Sequence, residues 1–136
     1  MNLTDPITDI LVVDDDKLVS LVVSAGLRRK TALPVTPHSN GKSALDQVTA
    51  TPAKIFMVLL DLNMPVMNGK EVLLWLKEKE QFKNIAVIVF TTSSREDDVK
   101  LCQKHSCTFF RKPTLYRDLL HIVQMMIQMC EKACRN

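Results

Sequence analysis

The feature that most restricts the fold of this chain is a fivefold alternation of short β-rich runs with longer segments of helical period, polar residues standing where several runs end. The runs predict strands over Asp9 to Val13, Pro34 to His38, Lys54 to Leu60, Ile85 to Thr91 and Cys107 to Arg111. Several are continuously apolar, as strands covered on both faces must be. Leucines, valines and methionines at three-to-four spacing predict helices over Lys17 to Lys30, Gly41 to Ala50, Gly69 to Lys79, Arg95 to His105 and Leu115 to Cys134. This alternation implies a doubly wound α/β fold with a five-stranded parallel sheet. Pro34 and Pro37 cannot donate to a ladder on both sides, so the second strand belongs at an edge, as it does in the order 2-1-3-4-5.

Asp14 and Asp15 directly follow the first run, Asp61 follows the third, Thr91 closes the fourth and Lys112 follows the fifth. All lie at carboxyl ends of strands, which in an open parallel sheet converge on one crevice, here at the switch point between strands one and three. Three carboxylates gathered there repel one another and must take up protons or bind a cation. The ligands on offer are oxygens, which favours a hard ion such as Mg²⁺ over Zn²⁺. Lys112 adds a fixed positive charge and Thr91 a hydroxyl. Metal, lysine and hydroxyl around one carboxylate are the parts that hold a phosphoryl group, whose transfer rests on positioning and charge neutralisation. Asp61 is the candidate nucleophile, because the turn-rich Leu62-Asn63-Met64-Pro65 and Asn68-Gly69 leave it exposed at a strand end. Asp16, by contrast, reads as a helix N-cap.

The strings Val12-Val13-Asp14-Asp15, Leu59-Leu60-Asp61-Leu62-Asn63-Met64-Pro65-Val66-Met67-Asn68-Gly69, Val89-Phe90-Thr91-Thr92 and Arg111-Lys112-Pro113 occur in order and span nearly the whole chain. In them the chain resembles the response-regulator receiver family of two-component signal transduction. The resemblance implies the CheY-like, flavodoxin-like (βα)5 fold. It further implies that Asp15 and Asp61 bind Mg²⁺ directly, that Asp14 orients the ion through water, and that the backbone carbonyl of Asn63 is the remaining protein ligand. Asp61 would then be the phosphoacceptor, served by a sensor histidine kinase or a histidine phosphotransfer protein. Lys112 would pair with the phosphate and Thr91 would swing to bond it. Phe109, three residues before the lysine, would follow inward as the switch aromatic, and Lys112–Pro113 would be a cis peptide. The chain departs from the family pattern in being one residue shorter between Thr91 and Lys112 and in carrying His105-Ser106-Cys107-Thr108 where a Gly-Ala turn is usual. Phe110 therefore stands as the alternative to Phe109. Thr92 occupies a position where a smaller residue is common.

At 136 residues and 46% hydrophobic, the chain is expected to form a single receiver domain over residues 1–136, its core over about 8–130, with no fused output domain. Its +3 charge comes from 18 basic and 15 acidic residues with no basic run, which argues against nucleic acid as a partner. No basic leader and no apolar run of membrane-spanning length occur, so a cytoplasmic protein without membrane contact is expected. The four cysteines, Cys102, Cys107, Cys130 and Cys134, form no Cys-x-x-Cys pair and read as reduced packing residues. Trp75, His38, His105 and His121 read as surface or core side chains.

Three functions compete: a phosphorylation-controlled signalling module, an Mg²⁺-dependent hydrolase working through an aspartyl phosphate, and a constitutive interaction domain. A dedicated hydrolase needs a second acid beside the nucleophile and a cap over its substrate, and neither is legible beside Asp61. The signalling module, which is no dedicated enzyme, is favoured, with slow self-hydrolysis in which Asn63 and Ser93 flank the path of water. In the fifth helix Leu115, Leu119, Ile122, Val123, Met126, Met129 and Cys130 suit the sheet, while Tyr116, Leu120, Met125 and Ile127 add apolar surface elsewhere. A helix apolar on most sides needs a further cover. The face of helix four, strand five and helix five is accordingly expected to bind a downstream protein or a second copy in a symmetric homodimer.

Overall fold

The computed structural model describes residues 9–64, 67–93 and 95–134. Strands β1 (Asp9–Val13), β2 (Val35–His38), β3 (Ile55–Leu60), β4 (Ala86–Thr91) and β5 (Thr108–Arg111) form one parallel sheet in the order β2-β1-β3-β4-β5. Between and after them run α1 (Lys17–Lys30), α2 (Gly41–Ala50), α3 (Gly69–Glu78), α4 (Glu96–Lys104) and α5 (Tyr116–Cys134). This is the doubly wound architecture expected, with the proline-bearing strand at an edge. Most differences are of one residue at element ends. Lys54 belongs to a 3₁₀ turn, Pro52–Lys54, whose proline occupies the first helical position, so β3 starts at Ile55.

Successive strand residues face opposite sides, so the sheet divides the interior into two cores. Leu11, Val13, Val58, Leu60, Val87 and Val89 pack under α2, α3 and α4 through Ala44, Leu45, Val48, Val72, Leu73, Leu76 and Cys102. Ile10, Val12, Met57, Leu59, Ile88 and Phe90 pack under α1 and α5 through Val19, Val23, Leu27, Leu119, Val123 and Met126. Side-chain caps start three helices: Asp16 accepts from the N–H groups of Leu18 and Val19, Asn40 from Ser43 and Asn68 from Glu71. Asp16 is thus the cap its position suggested.

The fifth helix is partitioned differently from expectation. Leu119, Val123, Met126, Ile127 and Cys130 are buried, whereas Leu115 and Met129 are exposed. The reason is rotational. Leu115 precedes the helix, and Met129 falls about 100° from the centre of the buried stripe at 3.6 residues per turn. Ile127 covers Gly26 of α1. Leu120, two turns before Ile127, shares its side of the helix but stays exposed. Of the apolar residues expected to remain outside, Tyr116, Leu120 and Met125 do so. Among the described residues no helix is long and apolar enough to cross a membrane.

Gly69 opens α3 against the chain that follows β3, and a Cβ there would collide with the carbonyl group of Asp61 and with Leu62 Cα. Gly69→Ala should therefore destabilise the protein by about 1–3 kcal/mol in denaturant unfolding. Gly26→Ala, which meets the end of the Ile127 side chain, should cost less, since that end can turn.

Candidate functional site

Register places the site. Val13 of β1 pairs with Leu60 of β3, so Asp14 and Asp61 leave neighbouring strands side by side, and the Asp61 N–H donates to Val13 O at 3.0 Å. Thr91 ends β4 opposite Arg111 of β5, and the Lys112 N–H donates to Thr91 O at 2.7 Å. Four chain segments far apart in sequence thereby deliver Asp14, Asp61, Thr91 and Lys112 to one crevice.

Within it, Lys112 Nζ lies 2.7 Å from Asp14 Oδ2 and 3.1 Å from Asp61 Oδ2, all three side chains being buried. The other oxygens are held by the backbone: the Asp16 N–H donates to Asp14 Oδ1 at 2.9 Å and the Asn63 N–H to Asp61 Oδ1 at 3.0 Å. Asp15 is exposed, yet carboxylate oxygens of Asp14, Asp15 and Asp61 lie within 4.8 Å of one another. Thr91 is fully buried and its hydroxyl accepts the Ser93 N–H at 3.3 Å. Asn63 is exposed and its amide donates to Thr92 Oγ1 at 3.3 Å.

Burial raises the pKa of Asp14 to about 6, outweighing the hydrogen bond and charge of Lys112 that act the other way. For Lys112, burial alone would lower the pKa, but its bond to Asp14 and the charges of Asp14 and Asp61 raise it, so it stays ammonium. Three carboxylates against one ammonium leave two negative charges uncompensated when all are ionised. That deficit, and a donor set made only of oxygens, fit a hard divalent cation held by Asp14, Asp15 and Asp61.

Phe109 is half-buried on the side of the sheet covered by α4, against the cluster that contains Cys102. Phe110 packs on the opposite side with Ile122. Three expectations need correction. Asp61, expected to stand exposed at its strand end, is buried, because Lys112 and the chain after β3 cover it. Ser93, thought to flank a water path, is buried with its hydroxyl bonded to Asp98, so it is committed elsewhere. The Lys112–Pro113 bond is trans, no cis peptide occurring among the described residues. Trans is the more stable form of an X–Pro bond, and from it the lysine reaches both carboxylates. Sequence reasoning also missed the partners of His38, whose ring nitrogens lie 2.9 Å from Ser43 Oγ and 2.7 Å from Gln47 Oε1. Serine and glutamine four residues apart on one face of α2 were the available signal.

The family model for the response regulator receiver domain matches residues 10–124. The chain belongs to that family. FilR2, a probable methanogenesis regulatory protein of Methanothrix harundinacea, is 32% identical over 128 residues, covering 88% of this chain and 81% of its own. Among solved structures, the Mn²⁺-bound form of response regulator Rcp1 matches with a TM-score of 0.75 at 28% identity, over 88% of this chain and 91% of that one. The phosphorylated cyanobacterial phytochrome response regulator RcpA matches with a TM-score of 0.81 at 26% identity, over 90% and 92%. The protein is thus a two-component response regulator receiver domain with a CheY-like fold, and its acidic cluster is one that could hold a metal.

In this receiver domain the raised pKa of Asp14 has a thermodynamic sign. Between the unfolded value of 3.8 and about 6 the folded state holds the extra proton, so this group lowers stability as pH rises through that window. In metal-free protein, a carboxyl NMR titration of Asp14 should give a midpoint near 6. Asp14→Asn should remove that pH dependence and raise the thermal midpoint at pH 7.

Proposed function

We propose that Asp61 accepts a phosphoryl group from a phosphohistidine of a sensor histidine kinase or histidine phosphotransfer protein, and that this switches the domain between two protein-binding states. The observation that carries the reading is the Asp61 carboxylate, held between Lys112 Nζ and the Asn63 N–H beside two further carboxylates. In the transfer, a carboxylate oxygen of Asp61 attacks phosphorus. The O–P bond forms as the P–N bond breaks, and the electron pair leaves on the imidazole nitrogen of the donor, which takes up a proton. Asp61 is an acceptor that is reset by water, with Asn63 beside it, and the domain is no dedicated enzyme.

Asp15 and Asp61 would hold Mg²⁺ directly, Asp14 would act through water, and the Asn63 carbonyl would complete the protein ligands. Bound there, Mg²⁺ supplies positive charge to the phosphoryl oxygens. Lys112, already paired with Asp61, keeps its ammonium in reach of the phosphate; Thr91 donates its hydroxyl to it, and Phe109 follows the threonine inward. The Mn²⁺-bound Rcp1 and phosphorylated RcpA structures support this reading by similarity. The proposed output face is that of α4, β5 and α5, where a downstream protein or a second copy of the chain would meet exposed Met125 and Met129; Ile127 is buried against Gly26 of α1.

With acetyl phosphate and Mg²⁺, intact-mass analysis should show one added phosphoryl group on the wild type and none on Asp61→Asn; equal modification of both would refute the assignment. Thr91→Ala should still be modified but should lose the phosphorylation-dependent change in partner binding. In a Mg²⁺ titration, Asp15→Ala should weaken binding strongly. Asp16→Ala should bind normally and instead lose about 1 kcal/mol of stability with its cap.

A further inference from the structure

Asp98 opens α4 inside the protein. It is 1% exposed, with Oδ1 2.9 Å from Lys70 Nζ and Oδ2 taken by the Ser93 hydroxyl. A buried carboxylate is costly unless partners hold its charge. Burial pushes its pKa up, but the hydrogen bonds of Ser93 and Lys70 and the charge of Lys70 outweigh burial, so Asp98 stays ionised at neutral pH.

The partners come from segments that serve the site. Lys70 follows Gly69, whose N–H donates to Leu62 O at 3.1 Å and which sits so close to the Asp61 carbonyl that a Cβ would collide with it. It is therefore fixed to the support of the acceptor. Ser93 stands two residues after Thr91, and its N–H donates to the Thr91 hydroxyl. The Arg95 N–H donates to Ser93 Oγ at 3.3 Å, which joins the segment to the start of α4. The Ser93 N–H already reaches Thr91 Oγ1 only at 3.3 Å. Moving that oxygen towards a phosphoryl group breaks the bond unless the segment moves too, and the segment is pinned through Ser93 to Asp98.

We infer that Lys70, Asp98 and Ser93 are positioning residues for Thr91: they tie the segment after β4 to the start of α3, hold the threonine hydroxyl in its resting place and set how readily the switch leaves it. The inference rests on Asp61 being the phosphoacceptor.

The test uses the full chain and follows the Thr91 methyl resonance by NMR, with and without beryllium fluoride as a stable mimic of the acyl phosphate. The rate of Asp61 modification by acetyl phosphate is followed by intact mass. In Ser93→Ala and Lys70→Met the methyl resonance of unmodified protein should lie part of the way towards its beryllium-fluoride position. The rate should rise about fivefold, the factor that one hydrogen bond of typical strength supplies. Ser93→Thr, which keeps the hydroxyl, should match the wild type, and the double variant should exceed neither single variant by much, because both act through Asp98. Should Lys70→Met fail to fold, leaving the Asp98 charge short of a partner, Ser93→Ala decides alone. A folded Ser93→Ala with an unmoved methyl and an unchanged rate would overturn the inference while leaving Asp61 as acceptor. A wild type that takes up no phosphoryl group would overturn the reading of the site itself.

Discussion

Lys112 Nζ sits 2.7 Å from Asp14 and 3.1 Å from Asp61, and the arrangement of the crevice depends on that shared ammonium. Two buried carboxylates on neighbouring strands would otherwise repel at close range in a medium that screens poorly. The lysine offsets this only because β5 ends where it does: its backbone N–H is tied to Thr91 O, and its stem runs past Phe90, whose ring centroid is 5.8 Å from Nζ. One cation among three carboxylates is still too few, and burial, with a small addition from the charge of Asp61, raises the pKa of Asp14 despite Lys112. A site short of positive charge, with its donors already gathered, is prepared for a divalent ion.

The same crevice is mechanically connected to its surroundings. Thr91 accepts the Lys112 N–H at its carbonyl and the Ser93 N–H at its hydroxyl, so it is bonded both to the end of β5 and to the segment that leads into α4. On the α3 and α4 side an ion pair between half-buried Lys70 and buried Asp98 adds to the apolar core, whereas the α1 and α5 side is packed by apolar residues, Phe90 among them.

Much of this was legible before any coordinates. Short β-rich runs, several of them continuously apolar, mark the strands, three-to-four patterning marks the helices, and prolines place β2 at the edge. Asp14, Asp61, Thr91 and Lys112 were found because a parallel sheet delivers its carboxyl ends to one place, and Asp16 because a cap needs only local geometry. The misreadings had nonlocal causes. Ile127 looks like any other helical isoleucine until Gly26 of α1 is seen to receive it. Ser93 reads as a residue flanking the path of water until Asp98 is seen to take its hydroxyl.

The sequence by itself determined the fold class, the strand order and the identity of the residues that meet at the crevice, because periodicity, breaker residues and strand ends are properties of neighbours along the chain. Only the tertiary structure decided which carboxylate is desolvated, which oxygens Lys112 holds, which side of α5 stays outside and that Asp98 is buried and paired. Those outcomes depend on distances between segments tens of residues apart, and electrostatic and packing energies act through distance in space.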